Sequence, residues 1–254
     1  MILKFLGTGT STGVPQIGCK CEVCTSTDPR EKRLRASALV ETRGRRLLID
    51  CGPDFRQQIL GVGSPALTAL LLTHSHYDHV GGIDDMRPYC HPEPFPVYCL
   101  PDVARDLRDR VPYCFAKHLY PGVPTFRIHE IAADRDFDVD GLTVTPLPVM
   151  HARLPIIGFK IGNLAYITDC SKMPPETAAA ISGIDTLVLN ALRHQPHMSH
   201  MNLREALDVI SVVKPRQAFL THLSHDMGLI DNTKKLLPQG VDIAIDGLTV
   251  AISD

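Results

Sequence analysis

His74-Ser75-His76-Tyr77-Asp78-His79 gathers four side chains able to bind metal within six residues. The segment directly follows an apolar run of β type, Ala69-Leu70-Leu71-Leu72-Thr73. On an extended backbone, side chains at i and i+2 share a face, so His74 and His76 can grip one metal. Asp78 and His79, where the chain turns toward a helix, point elsewhere and can hold a second. His151, Asp169 and His222 each stand just past an expected strand. Strand ends share an edge when strands pack in sheets, so these residues can converge with the loop on one rim. A lone histidine in such a place is ordinary. The joint pattern is not, because two metals need about seven ligands, one of them a bridging carboxylate.

A second cluster, Cys19-Lys20-Cys21-Glu22-Val23-Cys24, places three thiols in six residues beside Gly18. Structural zinc takes four ligands, often three Cys and one His, with Zn–S bonds of about 2.3 Å. His225, in Thr221-His222-Leu223-Ser224-His225, is the chosen fourth ligand. A redox pair, three buried structural cysteines, and His225 acting as support behind His222 are the competing readings. Cys51, Cys90, Cys99, Cys114 and Cys170 are most simply small buried residues. Gly7, Gly9 and Gly13 suit a tight turn better than a phosphate cradle, since the lysine of a P-loop is missing.

The H-x-H-x-D-H stretch resembles the signature of the metallo-β-lactamase superfamily, whose members mostly use it for dinuclear metal hydrolysis. The resemblance runs from Leu6-Gly7-Thr8-Gly9-Thr10 to the last strands, with matching contexts at Thr73-His74, Val149-Met150-His151, Thr168-Asp169-Cys170 and Leu220-Thr221-His222. It implies that His74, His76 and His151 bind one metal, that Asp78, His79 and His222 bind the other, and that Asp169 bridges. Asp50, in Leu48-Ile49-Asp50-Cys51-Gly52, stands where the family has an acid that braces the ligand loop; a plain turn Asp before Gly52 is the other reading.

The opening Leu6-Gly7-Thr8-Gly9-Thr10-Ser11-Thr12-Gly13-Val14-Pro15, the C-x-C-x2-C segment and the His222/His225 pair narrow the similarity to the PhnP group of phosphoribosyl cyclic phosphodiesterases. The tRNA 3′-processing endonucleases share the ligand pattern but usually add a basic exosite arm, and no Gly/Lys-rich insertion of that kind occurs here. The accessory protein PqqB has a similar cysteine cluster. In PhnP-like and tRNA-processing relatives, a histidine before the helix that starts near Leu203 assists phosphodiester cleavage. His200, in His194-Gln195-Pro196-His197-Met198-Ser199-His200, matches it best, with His197 and His194 as alternatives. A histidine pKa near 6.5 suits proton donation at neutral pH. The expected catalytic residues are therefore His200 and the ligand Asp78.

The implied reaction is hydrolysis of a small phosphodiester, a cyclic phosphate or nucleotide-like molecule, by hydroxide formed between two divalent metals. Thioester or lactone hydrolysis on the same fold, and a PqqB-like carrier without hydrolysis, are the alternatives. The implied cofactors are two active-site metals, Zn or Mn with Fe also compatible, and one structural Zn. No stable nucleic-acid complex and no membrane are expected, and the resemblance allows a homodimer. Loops such as Tyr113–Val123 would set specificity.

The elements that must position these residues are short. Strands are expected at Ile2–Leu6, Ser37–Glu41, Arg46–Asp50, Ala69–Thr73, Val97–Leu100, Thr125–Ile131, Leu142–Val149, Gly158–Ile161, Leu164–Thr168, Thr186–Asn190, Gln217–Thr221, Val241–Ile245 and Leu248–Ile252, the last two joined as a hairpin at Asp246-Gly247. Helices are expected at Phe55–Leu60, Val80–Tyr89, Asp102–Val111, Pro175–Ile181, Leu203–Val213 and Met227–Leu236. Strands before, between and after helices fit a doubly wound sheet poorly. The resemblance implies an α/β αββα four-layer sandwich, two mixed β-sheets flanked by helices.

The 254 residues show no low-complexity linker, so one domain spanning 1–254 is expected, with a zinc loop at about 18–25. A formal net charge of -2 gives no support for general nucleic-acid affinity, and Arg30-Glu31-Lys32-Arg33-Leu34-Arg35 reads as a solvated loop. No signal-type segment and no run of about 20 apolar residues stands out. Eight cysteines without a secretion signal point to reduced thiols in a cytoplasm.

Overall fold

A computed structural model describes residues 1–118 and 120–253; Leu119, inside the 113–123 loop expected to set specificity, lies outside the described residues. Two seven-stranded sheets form the centre. In the first, β1 (Ile2–Gly7), β2 (Ser37–Thr42) and β3 (Arg45–Ile49) are antiparallel, and β4 (Ala69–Leu71), β5 (Phe95–Cys99) and β6 (Phe126–Glu130) continue from β3 in parallel. The second repeats this plan. Its β7 (Phe137–Val139), β8 (Leu142–His151), β9 (Leu154–Ile161) and β10 (Leu164–Ile167) are antiparallel, then β11 (Thr186–Asn190), β12 (Gln217–Thr221) and β13 (Val241–Ile243) are parallel.

Alternation along the strands splits the apolar residues between layers. Leu47 and Ile49 of β3 face the core between the sheets, where Phe159, Tyr166, Val188 and Phe219 meet them. Leu48, between them in sequence, faces outward into a second core. That outer core is covered by α2 (Phe55–Gly61) and α4 (Pro101–Arg110); α1 (Glu22–Thr25) forms the turn of the cysteine loop, and α3 (Tyr77–Val80) carries metal-type side chains. Over the second sheet lie α5 (Pro175–Ala180), α6 (Leu203–Val213) and α7 (Ile230–Lys234). The expected four-layer sandwich of two mixed sheets is the fold observed. The Asn202–Glu205 capping box opens α6 as the sequence suggests. No helix among the described residues is long and apolar enough to cross a membrane.

Three expectations are corrected. Asp246-Gly247 does not join a hairpin: β13 ends the second sheet, and β14 (Thr249–Ala251) crosses to pair antiparallel with β1. The reason is the Asp246 carboxylate, which accepts from Leu34 N at 2.6 Å and Thr8 Oγ1 at 2.7 Å in the first sheet's loops. The Val80–Tyr89 helix divides into α3 and a 3-10 turn at Ile83–Tyr89, because glycine is required where the chain presses on the Asp50 loop. A Cβ on Gly82 would lie 2.0 Å from Gly52 O, and one on Gly52 would lie 2.1 Å from Asp78 O. The Met227–Leu236 helix is likewise cut at Gly228, whose φ of 79° leaves a 3-10 turn at His225–Met227 before α7. The short strand β7 has no counterpart in the sequence reading.

The basic run at 30–35 is not free charge. Arg30 pairs with Asp28 and Asp231, Arg35 pairs with Asp54, and Lys32 donates to Ser26 O. Arg33 is buried and donates to Thr8 Oγ1 and Ala244 O, each at 2.7 Å.

Candidate metal centre

Parallel strands point their carboxyl ends at one edge, and here both sheets do so together. Asp50 follows β3, His74 follows β4, Asp169 follows β10 and His222 follows β12, while His151 closes β8. Asp50, Asp169 and His222 hold left-handed backbone angles, φ 60°, 56° and 57°. Such angles are unfavourable for non-glycine residues and persist where surrounding bonds over-determine them. At Asp169 those bonds come from Asn190, which accepts from Cys170 N at 2.7 Å and donates to Cys170 O at 2.9 Å.

The donors fall into two neighbouring groups. Ligand-type atoms of His74, His76 and His151 lie within 4.8 Å of one another, as do those of Asp78, His79, Asp169 and His222. Asp169 turns one oxygen to each: Oδ1 stands 3.2 Å from both His79 Nε2 and His222 Nε2, and Oδ2 stands 3.8 Å from His74 Nε2. All seven sequence candidates are thereby brought together. His76 is the exposed member, on the open side.

Outward nitrogens fix which imidazole nitrogen faces in. His79 Nδ1 donates to Asp50 Oδ2 at 2.7 Å. His151 Nδ1 lies 2.7 Å from Ser199 O and 2.9 Å from Asp169 O; a carbonyl only accepts, so this nitrogen holds the proton. His74 Nδ1 is 3.0 Å from Thr73 Oγ1, whose own hydrogen faces Asp50 at 2.9–3.1 Å. The inward Nε2 of His74 is buried without a hydrogen-bond partner among the described residues, and that of His79 is buried 3.1 Å from Asp78 Oδ2 and 3.2 Å from Asp169 Oδ1. Imidazole nitrogens and carboxylates converging on one buried place suit divalent metal binding, the metal taking the position of the proton that His79 otherwise holds between the carboxylates. The electrostatics agree. Burial alone disfavours a charged His79, yet Asp169, Asp50 and Asp78 outweigh it and raise its pKa well above the usual imidazole value. Burial would raise the Asp169 pKa, but His222 and His79 hold it well below the carboxylate range. The carboxylates demand a cation here.

The ligand loop is braced from α4. Ser75 Oγ donates to Asp106 Oδ2 at 2.7 Å, and Arg110 Nη2 donates to Ser75 O at 3.0 Å. His200 stands against both groups, its ring 4.7 Å from His151 and 4.8 Å from His222, with Nδ1 3.8 Å from Asp169 Oδ2. Burial first, then the His222 ring, pushes its pKa down to about 3. His194 is turned away, its Nε2 3.0 Å from Met227 O. His197 lies 5.3 Å from His200, and its Nδ1 accepts from Ser199 N at 3.3 Å.

The cysteine loop forms a separate cluster in which Cys19, Cys21, Cys24 and His225 bring their ligand atoms within 4.8 Å of one another. His225 Nδ1 faces Cys21 Sγ at 3.5 Å and Cys19 Sγ at 3.8 Å, while Nε2 meets Gln16 Oε1 at 2.9 Å. The N–H of Cys24, at 3.4 Å, outweighs burial and lowers the Cys21 thiol to about 7. Burial raises the Cys24 thiol to about 11. All eight cysteines are free thiols.

The braces from Thr73, Asn190 and Ser199 are not evident from the sequence alone. Only position hints at them, since Thr73 adjoins a ligand, Asn190 ends a strand and Ser199 adjoins His200.

Residues 45–223 match the family model of the Beta-lactamase superfamily domain. The crystal structure of a diphosphatase from the PhnP family superposes with a TM-score of 0.92 at 37% identity, covering 98% of this chain and 96% of that one. A protein of Porphyromonas gingivalis named octanoyltransferase is 44% identical over 252 residues. That match takes in 98% of this chain but 51% of the relative, so this chain spans about half its length. Coenzyme PQQ synthesis protein B of Methylorubrum populi is 30% identical over 224 residues, 75% of this chain and 72% of that protein.

Proposed function

From the premise that the chain belongs to the beta-lactamase superfamily and resembles its PhnP group, we propose that it is a metal-dependent hydrolase of small phosphodiesters. His74, His76 and His151 would hold one divalent ion, Asp78, His79 and His222 a second, with Asp169 shared. When bound, such ions supply a water made acidic enough to attack at neutral pH and positive charge for the phosphate oxygens. Asp50 and Thr73 keep His79 and His74 oriented with Nε2 inward. Ser199 O does the same for His151 and ties the His200 loop to that ring.

The observation that carries the reading is the His200 ring packed against both donor groups. An alkoxide leaving a phosphodiester needs a proton, and a positioned histidine typically contributes about 10²–10⁴-fold. The anionic diester counters the burial that keeps His200 neutral, so its arrival favours protonation of that ring. The resemblance to a PhnP-family diphosphatase favours phosphorus as the centre attacked, in a diester or a diphosphate. Cys19, Cys21, Cys24 and His225 would hold a structural zinc beside the centre.

Acyl hydrolysis is the second reading, favoured by the likeness to a protein named octanoyltransferase. Turnover of bis(p-nitrophenyl) phosphate, a ribose 1,2-cyclic phosphate, a nucleoside diphosphate ester, an octanoyl thioester and a lactone separates the two. Phosphorus substrates should be cleaved fastest with added Mn²⁺ or Zn²⁺. Faster loss of the thioester would replace this reading with the acyl one, and no turnover at all would favour a carrier.

A further inference from the structure

Tyr166 heads the fully buried side chains by volume. It lies in β10, paired with Phe159 on one side and Val188 on the other, and its ring packs in the core between the sheets. Its hydroxyl is enclosed and has no hydrogen-bond partner among the described residues. An unpartnered buried hydroxyl is destabilising, and phenylalanine would fill the same space without that penalty. A hydroxyl kept there calls for a use.

The groups around it suggest one. Burial raises the phenol pKa above its ordinary value, with the charges of Asp50, His79 and Asp169 bearing on it next. Geometry places the ring below the candidate centre: it shares its core with Ile49 and Leu71, the last residues of β3 and β4 before Asp50 and the His74 loop, and Asp169 follows it by three residues. Asp50 accepts from Thr73 N, Thr73 Oγ1 and His79 Nδ1, whereas a carboxylate offers about four lone-pair positions. Asp169 Oδ2 stands 3.8 Å from both His74 Nε2 and His200 Nδ1, beyond hydrogen-bond distance. Both carboxylates have room for another donor.

We propose that Tyr166 is a positioning residue for the metal centre, its phenol donating through one enclosed water to the Asp50 and Asp169 carboxylates. The inference rests on the cluster being a metal centre. A buried water needs two to four polar partners, and a phenol with two carboxylates supplies them. Held this way, the carboxylates keep the angles at which they meet His79 and an arriving cation. Groups that orient ligands from behind typically contribute about 10–100-fold to metal affinity.

Tyr166→Phe tests it, with Tyr98→Phe as the control for losing a phenol elsewhere; the Tyr98 ring stacks on His129 at 4.5 Å, in the first sheet. The full chain is stripped of metal, its thermal midpoint is recorded in chelator, and Zn²⁺ and Mn²⁺ affinities are read by competition with a chromogenic chelator. The expected result is affinity about tenfold weaker in Tyr166→Phe, unchanged in Tyr98→Phe, with no gain in the chelated midpoint. Unchanged affinity in Tyr166→Phe, with or without a higher midpoint, overturns the inference, as does equal weakening in Tyr98→Phe. A wild-type chain that binds neither ion overturns the metal centre itself, a distinct failure.

Discussion

Asp50 receives the Nδ1 proton of His79 at 2.7 Å and, through the Thr73 hydroxyl, also governs His74. One buried carboxylate thus fixes the inward nitrogen of a histidine in each donor group. Asp50 itself is held with φ at 60° by Ser37 Oγ, which donates to its carbonyl at 2.9 Å, and by the close approach of Gly52 to Asp78. The sheet end, the ligand loop and both histidines form one unit.

Asp50→Asn should therefore weaken both metal sites together, by about 10–100-fold each. The substitution keeps the shape and removes the charge that favours the inward-facing tautomers. Metal titration followed by elemental analysis reads stoichiometry and affinity at once. Loss of one ion alone would show that Asp50 serves a single group.

Thr73→Val should act on one side only. It removes the relay to His74 Nδ1, while Thr73 N still donates to Asp50 at 2.9 Å and His79 keeps its own bond. One equivalent of metal should bind more weakly, again by about tenfold, and the other should be retained. Equal weakening of both ions would mean that the hydroxyl supports Asp50 rather than His74.

Much of this site is legible in the sequence because its signals are local. His74 to His79 announce themselves by spacing, and β4 by an unbroken apolar run that parallel packing on both faces requires. Asp169 and His222 show only as residues after strands, and the family resemblance joins them. What stays hidden depends on distant partners. Asn190 clamps Cys170 from twenty positions away, and Ser199 meets His151 from forty-eight. Asp246-Gly247 looks like a hairpin because the two residues carry a turn signal, whereas its destination is set by Leu34, 212 positions distant. No window of sequence contains that bond.

His200→Ala should keep both metals and lose about 10²–10⁴-fold in turnover of a phosphodiester with a poor leaving group. With p-nitrophenolate, which leaves without a proton, the loss should be smaller. His194→Ala is the control, since that ring is engaged with Met227 O. A similar loss on both leaving groups would assign His200 to binding the phosphate rather than donating a proton.

Cys21→Ser should reduce zinc content by one equivalent while active-site metals remain. The loop it joins is packed through Val14, Val23 and Cys24 beside Leu229, and Thr10 N donates to Leu223 O next to His222. The variant should melt at lower temperature, because zinc held by thiolates contributes folding free energy directly. An unchanged zinc content would leave the cluster as a group of free thiols.

Asp246 gives the protein a stability term that weakens as pH rises. Burial lifts its pKa from 3.8 to about 6, more than the bonds from Leu34 N and Thr8 Oγ1 and the charge of Arg33 can offset. Between those values the folded protein holds a proton that the unfolded chain has released. Its contribution is therefore complete below pH 3.8 and is lost as pH climbs through about 6. A shift of this size corresponds to about 3 kcal/mol between the two ends of the window. Asp246→Asn cannot titrate, so the difference in unfolding free energy between wild type and variant should fall from pH 4 to pH 7. Denaturant unfolding across that range measures it, in chelator so that metal binding does not enter. A difference that stays flat, or rises with pH, would show that Thr8 and Arg33 hold the carboxylate ionised in the folded chain throughout.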